Sequence, residues 1–218
     1  DSVVSNRLVR LNANGMRDNS FNVGSGFNNN VNEIAIQQDG KVLATGGFTS
    51  YNGVSSTRIA RVNTDGSKDA SFYTGTGLNL SANYVFVGEN DNIYVGGTFT
   101  TVDSFAKQRL VRLLATGKVD HSFMPETKVN SVVLTVGTQS TGKAIIGGQF
   151  TRYNGEMANR IARLNLDGSI DHTFASGIGA NNSIRSILVL PDDKILIGGD
   201  FTAYNGTARN RIARLNAD

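Results

Sequence analysis

Nowhere along this chain do apolar residues hold a helical period for a helix's length; they fall in short runs cut by Gly, Asn and Asp. Residues 184–190 form one such run, ended by Pro191-Asp192-Asp193, and Lys194-Ile195-Leu196-Ile197 follows at once. Near the start, residues 31–38 lead into Asp39-Gly40 and then Lys41-Val42-Leu43. Asp-Gly between two β-prone runs predicts a hairpin, because both central turn residues need positive φ. Gly-Gly-x-Phe-Thr comes next, then Tyr-Asn-Gly as a second turn. Arg-Ile-Ala-Arg-Leu-Asn reads as a third strand, Asp167-Gly168 turns the chain again, and 169–174 reads as a short fourth strand.

This block recurs. Arg7, Arg58, Arg109, Arg160 and Arg211 stand 51 residues apart. The same spacing relates Asp18, Asp69, Asp120 and Asp171; Phe21, Phe72, Phe123 and Phe174; Gly46, Gly97, Gly148 and Gly199; and Phe48, Phe99, Phe150 and Phe201. One repeat domain over 1–218 follows, with units 7–57, 58–108, 109–159 and 160–210 and a partial fifth at 211–218. Four antiparallel strands in a unit of this length are the signature of a β-propeller blade. The expected fold is all-β: a propeller-like array of four four-stranded blades, either a four-bladed ring or a segment of a larger propeller. Ring closure would need residues 14–22 to supply a fourth strand to the last blade.

The repeated pattern Asp-Gly-Lys, Gly-Gly-x-Phe-Thr-x-Tyr-Asn-Gly, then Arg-(Ile/Leu)-(Ala/Val)-Arg-Leu-Asn-x-Asp-Gly-x-x-Asp-x-x-Phe resembles the delta-60 repeat family over residues 7–218. Units one and four fit best. Unit two departs with Asn90-Asp91-Asn92 at its hairpin and Val102-Asp103-Ser104 in place of Tyr-Asn-Gly. The resemblance implies a β-propeller-like domain of a family to which no general biochemical activity is assigned, of the kind found in bacterial surface and secreted proteins and in tailed-phage virions.

Charge changes the picture little. The net charge is +3 and the pI about 9.3, yet ten of the 14 Arg belong to five copies of one Arg-x-x-Arg pair. The basic balance therefore belongs to a structural column, and no nucleic-acid partner is expected. The absence of Cys excludes disulfides, thiolate zinc sites and a cysteine nucleophile. No apolar stretch is long enough to span a membrane, and Asp1-Ser2-Val3-Val4-Ser5 does not read as a signal peptide.

The second Arg of each pair lies eight residues before the repeated Asp, across a turn. Arg10 with Asp18, Arg61 with Asp69, Arg112 with Asp120 and Arg163 with Asp171 are therefore expected as partly buried structural ion pairs. The repeated Phe are expected in the core. Tyr51, Tyr153 and Tyr204 sit beside a turn and are expected to form an exposed contact rim.

Other motifs carry less. Gly137 to Lys143 begins like a phosphate loop, but Ala144 follows and a strand comes next, where a helix is needed. Asn63-x-Asp65-Gly-x-x-Asp69 and Asn165-x-Asp167-Gly-x-x-Asp171 suit either a calcium loop or Asx turns that need no metal. His121 and His172 share one repeat column, and Glu33, Glu89, Glu126 and Glu156 are scattered. No catalytic residue, metal ligand or cofactor is expected. The expected function is a non-catalytic structural or interaction module of an extracellular or virion protein, with a phage tail or fibre component favoured. Its expected partners are structural proteins or surface glycans, with self-assembly through end strands. The alternatives are a secreted or cell-surface bacterial binding protein, a carbohydrate-active enzyme and a calcium-binding domain.

Overall fold

A computed structural model describes residues 6–124 and 127–218. Residues 1–5 and Glu126, named above, lie outside the described residues. Four antiparallel three-stranded sheets follow one another along the chain. The first orders Val31–Ile36, Val42–Gly46 and Ile59–Val62; the second orders Ala82–Val87, Ile93–Gly97 and Leu110–Leu113. The third orders Val133–Thr138, Ala144–Gly148 and Ile161–Leu164, and the fourth Ile184–Val189, Ile195–Gly199 and Ile212–Leu215. Between the second and third strands of each sheet stands a small outer ribbon, such as Ser50–Tyr51 with Val54–Ser55. The array is all-β and propeller-like. The units that start at Arg58, Arg109, Arg160 and Arg211 each begin just before the third strand of a sheet, so units and sheets are offset from one another.

The fourth strand is shorter than its sequence suggests. It survives as a single bridge in each of the first three sheets: Val62 with Lys68, Leu113 with Val119 and Leu164 with Ile170. The repeated Asp is what ends it. Asp69 N–H donates to Arg61 O at 2.9 Å, and then the Asp69 carbonyl and carboxylate accept from Phe72 and Ser71, turning the chain away.

Each first strand carries a β-bulge next to its first residue, opposite the repeated Gly. A Cβ at Gly46, Gly97, Gly148 or Gly199 would sit 2.1–2.4 Å from a backbone carbonyl oxygen of the facing strand, so only Gly permits this approach.

The sheets pack face to face in chain order. Leu43, Ile59 and Phe72 meet Val85, Val95 and Phe99. Tyr94, Leu110 and Phe123 meet Val136 and Ile146, and Ile145, Ile161 and Phe174 meet Ile187, Ile195 and Ile197. All eight repeated Phe are buried. Residues 6–27 cover the outward side of the first sheet, where Phe21, Val23 and Phe27 pack on Ala44 and Phe48. Leu11 pairs with Arg17 within that segment and Asn22 N–H donates to Asp65 O, so residues 14–22 lie against the first sheet. Ile34 and Ile36 on the first sheet, and Leu188 and Ile212 on the fourth, remain exposed on the two end faces.

Candidate functional site

The repeated polar residues converge on one network per sheet. In the first, Arg61 Nε donates to Asp69 Oδ2 at 2.8 Å. The other carboxylate oxygen accepts from Ser71 N–H at 2.8 Å and Ser71 Oγ at 2.6 Å. The guanidinium lies 4.7 Å from the centroid of the Phe72 ring. Its Nη1 donates to Gln37 Oε1 at 3.1 Å and to Ala115 O at 2.5 Å. Ala115 lies in the turn of the second sheet, so one side chain closes its own turn and ties its sheet to the next.

The pattern repeats. Arg112 pairs with Asp120 at 2.7 Å, donates to Leu166 O at 2.8 Å and lies 4.5 Å from the Phe123 centroid. Arg163 pairs with Asp171 at 2.7 Å, donates to Ala217 O at 2.5 Å and lies over Phe174. Arg10 pairs with Asp18 at 2.8 Å and donates to Thr64 O at 2.6 Å. The three internal pairs are buried, each residue 5–7% exposed. Arg10 and Asp18 are wetter, with side chains 39% and 20% exposed.

Electrostatics follow from this geometry. Burial alone would raise the Asp69 carboxyl; the Ser71 hydrogen bonds and then Arg61 outweigh it and hold Asp69 well below the usual carboxylate range. Asp171 is lowered likewise: burial opposes, and Lys143, Thr173 and Arg163 prevail. Asp120 is lowered by Ser122 and Arg112 against burial. The hairpin lysines join in two of the sheets, Lys41 3.3 Å from Asp69 and Lys143 2.7 Å from Asp171. Asn92 stands at that position in the second sheet.

The tyrosine rim is corrected. Tyr51 and Tyr153 are fully buried. Single bridges, Phe27 with Tyr51 and Val129 with Tyr153, draw each ring inward, and the hydroxyls donate to Gly66 O at 2.5 Å and Gly168 O at 2.7 Å. Tyr204 is half-buried. Burial pushes the Tyr51 and Tyr204 hydroxyls up to about 12, and Tyr153 further still. The exposed part of the turn is the Asn-Gly pair beside Tyr51 and Tyr204, and Gly155 beside Tyr153.

The remaining motifs have local duties. Residues 137–143 form a strand and a hairpin turn, and Lys143 serves Asp171. Asp65 Oδ1 accepts from Ser67 N–H at 2.8 Å and Asp167 Oδ1 from Ser169 N–H at 2.9 Å, the geometry of Asx turns. His121 packs edge-on against Phe105, and His172 faces Glu156 at 3.4 Å. Among the described residues no cluster of three or more His, Cys, Asp or Glu is placed to hold a metal ion. No helix there is long and apolar enough to cross a membrane.

Three groups escaped the sequence reading. Ser20, Ser71, Ser122 and Thr173 cap the repeated Asp, and the Asp-x-(Ser/Thr) spacing was there to find. Asn28, Asn79, Asn130 and Asn181 each clamp a Thr at the start of the outer ribbon, again in one column. Lys107, buried and unrepeated, showed itself only as a departure from its column.

None of the curated proteins compared matches the chain. Among solved structures, the extracellular domain of a one-component system from B. thetaiotaomicron matches at 13% identity and TM-score 0.46, over 88% of this chain and 22% of that one. The extracellular domain of a hybrid two-component system from the same organism matches at 15% identity and TM-score 0.48, over 92% of this chain and 23% of that one. A protein of unknown function from Bacteroides caccae matches at 10% identity and TM-score 0.37, over 86% of this chain and 78% of that one. The chain thus spans under a quarter of the length of the first two. A family described as a β-propeller domain of unknown function (DUF5122) matches residues 1–21, 37–72, 89–123, 139–174 and 190–218. These segments carry the Arg-to-Asp turns and the central hairpins, and the chain belongs to that β-propeller family.

Proposed function

We propose that the chain is a non-catalytic interaction module of an extracellular or virion protein, a rigid array that presents its unrepeated exposed residues to a structural protein or a glycan. Within that reading its delta-60-like repeat favours a phage tail or fibre component, with a bacterial surface or secreted binding protein as the alternative. One observation carries the proposal: the repeated charged residues are spent on architecture. Each internal Arg has its Nε on an Asp and an Nη on a carbonyl of the following sheet, while the Asp is filled by Arg, Ser or Thr. Chemistry between this domain and another molecule therefore falls to residues that differ between units, chiefly in the hairpins and outer ribbons.

The test is a binding screen of the folded chain against surface glycans and the structural proteins of its native source, with turnover followed in parallel. Saturable binding that is lost on substitution of unrepeated exposed residues, such as Arg152 or Glu156, supports the reading. Turnover of a bound glycan would replace it with the enzyme alternative.

A further inference from the structure

Lys107 is 1% exposed, on the outer ribbon strand Phe105–Gln108. Its ammonium donates to Phe123 O at 3.2 Å and to Met124 O, two carbonyls at the end of the Asp-turn of the second sheet. Burial lowers its pKa, and at 1% exposure its alkyl stem is enclosed as well. One period before and after Lys107 stand Ser56 and Ala158. At both places the side chain stops short and a cavity opens: about 210 Å³ beside Ser56 and about 120 Å³ beside Ala158.

The two cavities differ. At the first, Lys68 Nζ donates to Ser55 O at 2.7 Å, so a cation of the chain already stands at the opening. At the second, the matching residue is Ile170, and the walls are Ala158, Ile161, Ile170 and Phe174 with Arg163 and Asp171. An alanine at this position is the Lys107 side chain less an n-propylammonium. The protein itself therefore displays, one sheet away, the group that this cavity fits.

We propose that the cavity beside Ala158 binds a primary alkylammonium: its methylenes lie against Ile161, Ile170 and Phe174, and its ammonium meets the carbonyls that follow Asp171. Asp171 is already held by Arg163 and Lys143, and His172 and Glu156 pair at the rim, so attraction comes from the apolar walls and from backbone carbonyls, of which Phe174 O already accepts from Ser176 N–H at 2.9 Å and keeps a second lone pair for the ligand. A ligand this small then binds with a dissociation constant of about a millimolar or weaker. A lysine side chain of a partner and a free polyamine both carry this group.

The test is an amide-resolved NMR titration of the whole chain with n-propylammonium chloride, against sodium chloride at matched ionic strength and against n-propanol. Saturable shifts confined to the amides around Ala158, Ile170 and Phe174 are expected, and Ala158→Lys should abolish them. Lys107→Ala should open a second cavity of the same kind, with n-propylammonium recovering part of the lost melting temperature. Displacement by spermidine at lower concentration than by a lysine-containing tripeptide supports the site with a polyamine as its source; the reverse order supports it with a partner's lysine. Shifts that match those from n-propanol, or that persist in Ala158→Lys, overturn the proposal even where Lys107→Ala fails to fold.

Discussion

Replacing Asp120 by Ala should cost far more than replacing Asp18 by Ala, although both residues occupy the same repeat column. Asp120 and Arg112 are each 7% exposed, and their contact is a 2.7 Å charge-assisted hydrogen bond. Asp120→Ala leaves the Arg112 guanidinium in the core without a carboxylate, held by Leu166 O, Ser122, the Tyr94 hydroxyl and the Phe123 ring, none of which carries a negative charge. It also frees the Ser122 N–H and hydroxyl that the second carboxylate oxygen caps. Stranding one partner of a buried pair costs about 3–5 kcal/mol. For a chain of this size that corresponds to a fall in melting temperature of roughly 6–20 °C. Asp18→Ala breaks a pair in which Arg10 is 39% and Asp18 20% exposed, so water re-solvates both partners and the loss should be far smaller than for Asp120→Ala. Calorimetric melting of the two variants beside the parent chain measures the contrast. The double change Arg112→Met with Asp120→Leu, which removes both charges, should recover much of the Asp120→Ala loss. Equal shifts for Asp18→Ala and Asp120→Ala, or an Asp120→Ala chain that melts with the parent, would refute the reasoning from burial.

Acid should unfold the chain through the same carboxylates. Asp69, Asp120 and Asp171 are lowered in the folded state, so their contribution is present above the unfolded value near 4 and is lost as pH falls below it; chemical denaturation at stepped pH should show stability dropping below about pH 4, and a flat profile there would count against the networks. Spectrophotometric titration should find tyrosines that ionise only near pH 12 or above, from Tyr51, Tyr153 and Tyr204, whereas an exposed rim would ionise near 10. Tyr51→Phe leaves the Gly66 carbonyl without its buried donor and should cost about 1–2 kcal/mol in urea unfolding, while Tyr204→Phe should cost less. Gly66→Ala should cost at least as much as Tyr51→Phe, since φ is +89° and the added Cβ would lie 2.6 Å from the Asn22 backbone.

The 51-residue period made most of the fold legible, because a position that recurs at fixed spacing in one chain marks what each unit requires. Hairpins at Asp39-Gly40 and Asp192-Asp193, the eight core Phe and the Arg-to-Asp spacing all appear where the pattern puts them. Part of what failed depended on neighbours distant in sequence, and part on a local side-chain contact. Tyr51 looks exposed because it adjoins Asn-Gly, but the bridge to Phe27 and the carbonyl of Gly66 pull it inside, and neither contact has a local signature. The fourth strand reads as a strand from its composition, yet the side chain of Asp69 captures the backbone of Ser71 and stops the ladder. The reach of Arg61 to Ala115 exists only once two sheets are stacked.

That reach changes what the repeated pair does. A salt bridge within one turn would stabilise one unit and leave its neighbours alone. Here Arg10, Arg61, Arg112 and Arg163 each donate to a carbonyl 54 residues onward, so every pair spans an interface between consecutive elements of the array. Stability in such an array is a sum of unit terms and nearest-neighbour terms, and one residue type contributes to both. A substitution at Arg112 therefore weakens the second sheet and also its hold on the third, so hydrogen-exchange protection should fall in both sheets together. The same economy explains where individuality appears: the second sheet lacks the hairpin lysine, carrying Asn92 instead, and is the sheet that buries Lys107 from its outer ribbon. Positions freed from the repeat are where one sheet departs from the others.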